Sequence, residues 1–451
     1  MDLKNLLIRF SPTSDRSKLM GKNIAYSFII KVISIVLSLL IVPATIHYVS
    51  STQYGIWLTL SSIVGWISYF DIGFGHGLRY QFAEAVAKED YSLAKKYVST
   101  TYVLLTVMFT VVCVLLLIVN HFLDWSILLN LDPDISSLLN TVFALLIFFF
   151  CLHLVLKLIS TILTADQRPA LAALIEVIGQ FLAFITIIIL SYTTEGNLLY
   201  LVFVFSGLPC VVLLLATFWV FRSKRYMPFS PTIKSIDFTL TKNIIGKGFQ
   251  YFFTMISMFL IFQLLNIIIT RELGPDSVTQ YNVAYKYYNV LMMAFVIIVQ
   301  PMWSAFTEAY TKKDYAWMRN IVEKIKKVAW LFVVGGVFMF IVSPWIFKLW
   351  VGNDVNIPIL LSFFVFLQNV TQIFPALYVY PINGMGKMRV QIIIYSIYSI
   401  FAVPALILLC RQWGIPGVLT YYTMVYITLW IFCRKQFYHL VAGDTTGVWS
   451  K

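Results

Sequence analysis

Twelve runs of about twenty mostly apolar residues divide this chain, and they constrain its fold more than any other feature. They cover residues 24–46, 54–70, 99–119, 137–162, 171–191, 198–221, 248–270, 283–306, 328–347, 358–380, 390–409 and 414–433. A run of that length crosses a bilayer as a helix. In hydrocarbon every backbone N–H and C=O must be satisfied by other backbone, which leaves only helices and closed barrels. The residue alternation of a barrel strand is absent, so the expected fold is all-α and integral to a membrane. Composition agrees: 60% of residues are hydrophobic and 12% charged, against about 45–50% and 25% in soluble domains. The first apolar run begins near Ala25 and no small-residue cleavage site follows it, so it reads as a retained span and not a signal peptide.

The loops orient these helices, because Lys and Arg gather on the cytoplasmic side. With the N-terminus inside, 27 of the 33 basic residues fall in cytoplasmic segments. Three (Arg271, Lys348, Arg411) fall in outer loops and three (Lys31, Lys157, Lys286) within spans. Both termini are therefore expected in the cytoplasm. The net charge of +13 follows from this topology, and nucleic acid is not an expected partner. Cys113, Cys151, Cys210, Cys410 and Cys433 lie in or beside apolar runs without Cys-x-x-Cys spacing. They read as buried thiols and not as metal ligands or disulfides.

Two phrases recur. FAEAVAKEDY at 82–91 returns as FTEAYTKKDY at 306–315, identical at six of ten positions and offset by 224 residues. Thr52-Gln53-Tyr54 returns as Thr279-Gln280-Tyr281, offset by 227. The chain reads as two copies of one half. Six spans per half is an even number, so the copies share an orientation, and a substrate would sit between them near the midplane. The expected organisation is a cytoplasmic amphipathic segment 1–23, an N-lobe 24–221 with spans 1–6, a basic cytoplasmic linker 222–247, a C-lobe 248–433 with spans 7–12, and a cytoplasmic tail 434–451. Leu3, Leu6, Leu7 and Phe10 at helical spacing, beside Lys4 and Arg9, predict a short helix on the inner leaflet. Tyr91, Leu93, Ala94 and Tyr97 between lysines predict a second surface-lying helix.

Ionisable side chains within spans are costly and mark functional sites unless they snorkel to an interface. Lys31, Lys157, Glu176 and Lys286 are the candidates. Snorkelling competes least at Lys31, which Ile29, Ile30, Val32 and Ile33 flank. Glu176 is a candidate counter-ion of Lys31 or Lys157, or a coupling carboxylate, and Asp71 is a second such candidate. The second span ends in Asp71-Ile-Gly-Phe-Gly-His-Gly-Leu-Arg79. Its G-x-G-x-G spacing, with no strand before it, is not a dinucleotide fingerprint; alternate glycines suit a tight bend. Arg79 reads either as a partner of Asp71 or as a phosphate ligand at the cytoplasmic mouth. Gln263, Asn266, Asn289, Gln300, Gln368, Asn369 and Gln372 mark the second half, as interhelical hydrogen bonders or as the polar lining of a cleft. Tyr285, Tyr287, Tyr288, Tyr378 and Tyr380 read as an interfacial aromatic belt. Asp124, Asp132 and Asp134 read as helix caps. There is no P-loop and no catalytic constellation, so an enzyme is not expected.

The twelve-span layout, the Tyr54-Gly55 start of span two, the segment from Asp71 to Arg79, and Asp166-Gln167-Arg168-Pro169-Ala170 between spans four and five resemble polysaccharide-export flippases of the Wzx type. These form the O-antigen and capsule branch of the multidrug/oligosaccharidyl-lipid/polysaccharide (MOP) superfamily. The resemblance covers about residues 20–437. It implies a bacterial inner-membrane protein that moves an undecaprenyl-pyrophosphate-linked oligosaccharide to the outer leaflet by alternating access of two six-helix lobes. It implies no cofactor beyond a coupling proton or sodium ion, and a polysaccharide polymerase as a candidate partner. On this resemblance Lys31, Arg79 and Lys157 would hold the pyrophosphate, with Lys286 as a fourth candidate cation. Twelve helices suffice for a complete transporter, so a monomer is expected. Two rival classes stand beside this reading. One is an ion-coupled multidrug or small-solute exporter. The other is a membrane glycosyltransferase or polymerase, against which the short outer loops argue, none exceeding about 17 residues.

Overall fold

A computed structural model of the chain describes residues 15–65, 74–166, 168–241, 264–299, 302, 306, 309–310, 312–352, 354–443 and 447–450. Every described residue is helical or in a turn or loop; no strand occurs among them. In chain order the helices are α1 (Asp15–Val49), α2 (Ser51–Gly65), α3 (Phe74–Ala87), α4 (Tyr91–Phe122), α5 (Trp125–Leu129), α6 (Ser136–Leu156), α7 (Leu158–Ala165), α8 (Pro169–Thr193), α9 (Leu198–Val202), α10 (Leu208–Arg222), α11 (Leu265–Leu273), α12 (Pro275–Val299), α13 (Tyr315–Val351), α14 (Ile359–Gly384), α15 (Arg389–Trp413) and α16 (Ile415–Val441). Among the described residues, ten helical stretches are long and apolar enough to cross a membrane. The other two expected spans, 54–70 and 248–270, run into residues outside the described set, as does the expected helix before Pro12.

The chain groups into two compact units. The first takes residues 1–44, 67–122 and 141–252. In it α3 packs on α4 and α7, α7 on α8, and α8 on α10. Leu78, Phe82, Val98, Leu105, Ile159, Ile162 and Ile187 form its buried core. Val107, Val111, Val114, Leu115 and Ile118 of α4 are exposed, an apolar face that only lipid can cover at no cost. The second unit takes residues 45–66, 123–140 and 253–451. There α14 packs against α12, α13 and α16, and α16 also against α15. Close packing leaves no room for side chains at several glycines, Gly336 and Gly417 among them. A Cβ at Gly336 would lie 2.9 Å from Val370 Cγ2, and one at Gly417 would lie 2.5 Å from the Leu409 carbonyl oxygen.

The phrase repeated at offset 224 builds the same turn twice. Glu89 and Lys313 both take a left-handed backbone, with φ of 60° and 57°. The N–H of Asp90 donates to the Ala85 carbonyl at 3.0 Å, and that of Asp314 to the Ala309 carbonyl at 2.9 Å. The carboxylate of Asp90 then accepts from the N–H of Leu93, and that of Asp314 from the N–H of Trp317. Each phrase thus stops one helix and caps the next. Its phenylalanine is fully buried in both copies. Phe82 meets Phe229 at 5.1 Å between ring centroids, and Phe306 meets Phe437 at 6.2 Å.

Two sequence expectations are corrected here. Tyr91 does not begin a separate surface helix: α4 runs unbroken from it through Lys95 and Lys96 of its second turn into the span, and Asp90 caps its start. Tyr288 and Tyr378 are not interfacial. They are 0% and 1% exposed; the Tyr288 hydroxyl pairs with Ser362 at 2.7 Å, and the Tyr378 ring packs on Phe437 and Tyr438. The expected caps are present at Asp124, which accepts from the N–H of Ser126, and at Asp132, which accepts from the N–H of Asp134.

Candidate functional site

The fourth expected span does not run straight. α6 ends at Leu156 and α7 starts at Leu158, and Lys157 at the join takes φ −62° and ψ −15°. There the Ser160 N–H bonds the Lys157 carbonyl, three residues back. Such a tightened turn in mid-span redirects the following side chains. Beside it, within the first unit, lies a cavity of about 510 Å³, lined by Gly75 and Arg79 of α3, Leu105 and Phe109 of α4, Lys157, Ser160, Thr161 and Thr164 of the bent span, and Ala172 and Glu176 of α8. Apolar walls with a few convergent polar groups are the ordinary form of a ligand site.

The charges fit an anion. Arg79 and Lys157 face this space with Glu176 as the one acid of the lining. Lys157 Nζ stands 3.9 Å from Glu176 Oε1, and both side chains are about half exposed, 52% and 48%. A pair that long and that open is weak, so Lys157 is available to an incoming anion. The Ser160 hydroxyl is 6% exposed as a residue and its oxygen has no hydrogen-bond partner. A buried unpaired hydroxyl costs roughly 1–3 kcal/mol, which a bound acceptor would relieve. Thr164 instead donates to the Ser160 carbonyl at 2.7 Å. Of the residues singled out in the sequence, Arg79, Lys157 and Glu176 line this cavity; Ser160, which also lines it, was not among them. Its only signal is small hydroxyl residues at positions 160, 161 and 164 of an otherwise apolar run.

Other candidates lie elsewhere. Lys31 is exposed on α1 and is not part of this lining. Lys286 belongs to the second unit, where it donates to the Tyr54 hydroxyl at 3.2 Å and lies 5.9 Å from that ring's centroid. Asn266 accepts from Asn282 at 3.1 Å. Gln368 and Asn369 are 4% and 0% exposed, and each keeps a carbonyl oxygen without a hydrogen-bond partner. Asn289 and Gln372 are half-buried. Asp71, Gln263 and Gln300 lie outside the described residues.

The basic segment after α10 is fastened to the first unit beside the cavity. Asp166 accepts from Arg225 Nε at 2.8 Å and Nη2 at 2.7 Å, and from the Tyr226 hydroxyl at 2.6 Å. This fork-to-carboxylate pair raises the Arg225 guanidinium further above its ordinary value. Further on, the Asp237 N–H donates to Thr100 Oγ1 at 2.9 Å, and Lys96 pairs with the Asp237 carboxylate at 3.4 Å. The Thr239 hydroxyl, and then Lys96, hold the Asp237 carboxyl below the usual range. Residues 222–240, expected as part of a linker, therefore lie along α4 and the α7–α8 corner.

The sequence profile of the family described as "Polysaccharide biosynthesis protein" matches residues 20–307. A Salmonella typhi protein named as an O-antigen transporter is 18% identical over 430 residues, 92% of this chain and 95% of its own. A Yersinia pseudotuberculosis protein named for O-antigen export is 19% identical, over 80% of this chain and 82% of its own. Among solved structures, the inward-facing form of a MATE multidrug-resistance transporter of the MOP superfamily superposes with a TM-score of 0.73 at 13% identity, covering 94% of this chain and all of the other. An outward-facing form of such a transporter gives 0.66 at 14% identity, over 95% and 97%. The profile matches well over half of the chain, and on that match the chain belongs to the polysaccharide biosynthesis protein family.

Proposed function

We propose that this protein flips an undecaprenyl-pyrophosphate-linked oligosaccharide from the cytoplasmic to the outer leaflet, by alternating access, for O-antigen or capsule synthesis. The observation that carries this reading is the first unit's cavity, which Arg79, Lys157 and Ser160 line among apolar helices. A pyrophosphate needs cations and donors inside the membrane, and the lipid tail needs none. Arg79 and Lys157 hold the pyrophosphate, and Lys31 meets it on the approach. Glu176 balances Lys157 when the site is empty and is the carboxylate through which a proton gradient acts. Lys286 acts in the second unit. The protein works as a monomer in the bacterial inner membrane with both termini inside, and passes its cargo to a polysaccharide polymerase.

The likeness to MATE transporters favours a second reading, an ion-coupled exporter of drugs or small solutes. Mass spectrometry of polyprenyl-linked glycans in cells lacking the protein separates the two. A complete undecaprenyl-pyrophosphate oligosaccharide accumulates, and surface polysaccharide disappears, if the flippase reading holds. Unchanged glycans with altered drug tolerance transfer the function to the exporter class and remove the pyrophosphate roles from Arg79 and Lys157.

A further inference from the structure

α16 outruns its expected span. The apolar run ends at residue 433, yet the helix continues to Val441. These added turns extend about 12 Å at the helical rise per residue, which is more than the depth of one headgroup layer. One side of them is committed to the second unit. Gln436 and Phe437 are fully buried, and Leu440 and Val441 nearly so. The Gln436 amide donates to the carbonyls of Lys387 and Trp449, at 2.9 and 3.1 Å. The other side carries Trp430, Ile431, Arg434, Lys435 and Tyr438, which line an open cavity of about 260 Å³. Their spacing of i, i+1, i+4, i+5 and i+8 stacks them along one face of the helix.

The cavity changes character along its length. Its span-side end is aromatic and apolar. The Trp430 ring packs on Phe374 of α14 at 5.0 Å between centroids, and Phe374 packs on Trp330 of α13 at 5.5 Å. Both tryptophans lie at the expected inner ends of their spans, the depth at which such rings gather. The Trp430 indole N–H has no hydrogen-bond partner among the described residues. The far end is cationic. Arg434 and Lys435 form no hydrogen bond and no ion pair among the described residues. Glu323 of α13, the acid that Arg434 acts on, is already engaged: it accepts from the Tyr438 hydroxyl at 2.6 Å and pairs with Lys326 at 3.4 Å. Lys435 Nζ lies 5.3 Å from the centre of the Trp449 ring, a cation–π contact that restrains the ammonium beside the cavity. Two positive charges therefore stand without matching acids at the edge of an apolar shelf.

We propose that this face of α16 binds the headgroup of an anionic glycerophospholipid of the inner leaflet. Arg434 forks onto the phosphodiester, Lys435 supplies the second charge, and the Trp430 N–H donates to an ester carbonyl. The acyl chains lie along Ile431, which is 54% exposed. A zwitterionic headgroup would bring its own cation against Arg434 and Lys435. A soluble anion would leave the apolar half of the cavity without a partner. The site stands apart from the cargo, and it holds whether or not the flippase reading does.

Native mass spectrometry of the full-length protein, delipidated in non-ionic detergent, reads the site. One dioleoylphosphatidylglycerol should bind about tenfold or more tightly than dioleoylphosphatidylcholine. Equal affinities overturn the proposal. The double variant Arg434→Gln, Lys435→Gln should weaken phosphatidylglycerol binding about tenfold and leave phosphatidylcholine unchanged. Trp430→Phe should weaken it by a smaller factor. Lys224→Gln with Lys234→Gln, both exposed in the first unit, removes the same charge elsewhere and should change nothing. An equal loss in both double variants reduces the effect to diffuse attraction and overturns the site. Inorganic phosphate that displaces the lipid at equal concentration assigns the cavity to a soluble anion; a short-chain polyprenyl pyrophosphate that does so assigns it to the cargo. Either result overturns the proposal. If the double variant fails to reach the membrane, a diazirine-bearing phosphatidylglycerol photo-cross-linked to the native chain decides. Adducts should map to residues 430–438, and adducts found only elsewhere overturn the assignment.

Discussion

The Ser160 hydroxyl shows how little a single residue reveals before the backbone is placed. Hydroxyls in apolar helices usually bond the carbonyl four residues back, as Thr164 does here. Ser160 does not: its hydroxyl is buried without a hydrogen-bond partner in a residue that lines the cavity. If it donates to the cargo's phosphate, Ser160→Ala loses a hydrogen bond to a charged group, worth about 1.5–3 kcal/mol. Binding of a short-chain polyprenyl pyrophosphate to the purified protein should weaken roughly 10–100-fold, and Ser160→Thr should retain most of it. Equal affinities for the serine and alanine forms, by calorimetry, refute the contact. The in-span lysines stood out in the sequence as candidates because a charge among isoleucines and leucines has few explanations. Ser160 did not, because nothing in Leu158-Ile159-Ser160 marks a bend. The same blindness affected Tyr288 and Tyr378: an aromatic with a hydroxyl looks interfacial until a Ser362 or a Phe437 is found against it.

Elements are joined here by a few polar tethers, and two of these are exposed to measurement. The turn at Asp314 depends on its cap, so Asp314→Ala should lower stability by about 1 kcal/mol, and Asp90→Ala should do the same in the first unit. Thermal unfolding in detergent reads both. At the end of α11, Glu272 accepts from Arg411 of α15 at 2.8 and 3.0 Å. This pairing holds the Glu272 carboxyl below the usual range. A depressed folded-state value means the tether is fully present above the ordinary glutamate range and is lost as pH falls through the lowered value. Unfolding temperature should therefore drop below about pH 4.5, and Glu272→Gln should remove that part of the acid sensitivity; an unchanged acid profile in that variant discounts the tether. Such pairs escape a sequence reading because their partners are 139 residues apart. The repeated turn was half legible. Its recurrence was plain, yet the left-handed residues are glutamate and lysine rather than glycine or asparagine, so no stop signal showed.

At the scale of the whole molecule the argument returns to charge. Ten described helical stretches are long and apolar enough to cross a membrane, as hydropathy along the sequence had indicated. Orientation rests on the 27 basic residues of the expected inner segments against three outside. Of those three, Arg411 is paired with Glu272, so the expected outer side is poorer still in free positive charge. This bias sets topology during insertion through the loops near each span, and no single substitution should reverse it. A green fluorescent protein fused after Lys451 should fluoresce, and alkaline phosphatase at the same place should be inactive. Phosphatase inserted near Asp132, in the longest expected outer loop, should be active. The opposite pattern would invert the whole assignment. It would put the mouth beside Arg79 and the docked basic segment on the outer face, and a cavity so placed would load from the wrong leaflet for a lipid-linked sugar made in the cytoplasm. The fusion experiment thus tests the direction of transport as well as the fold.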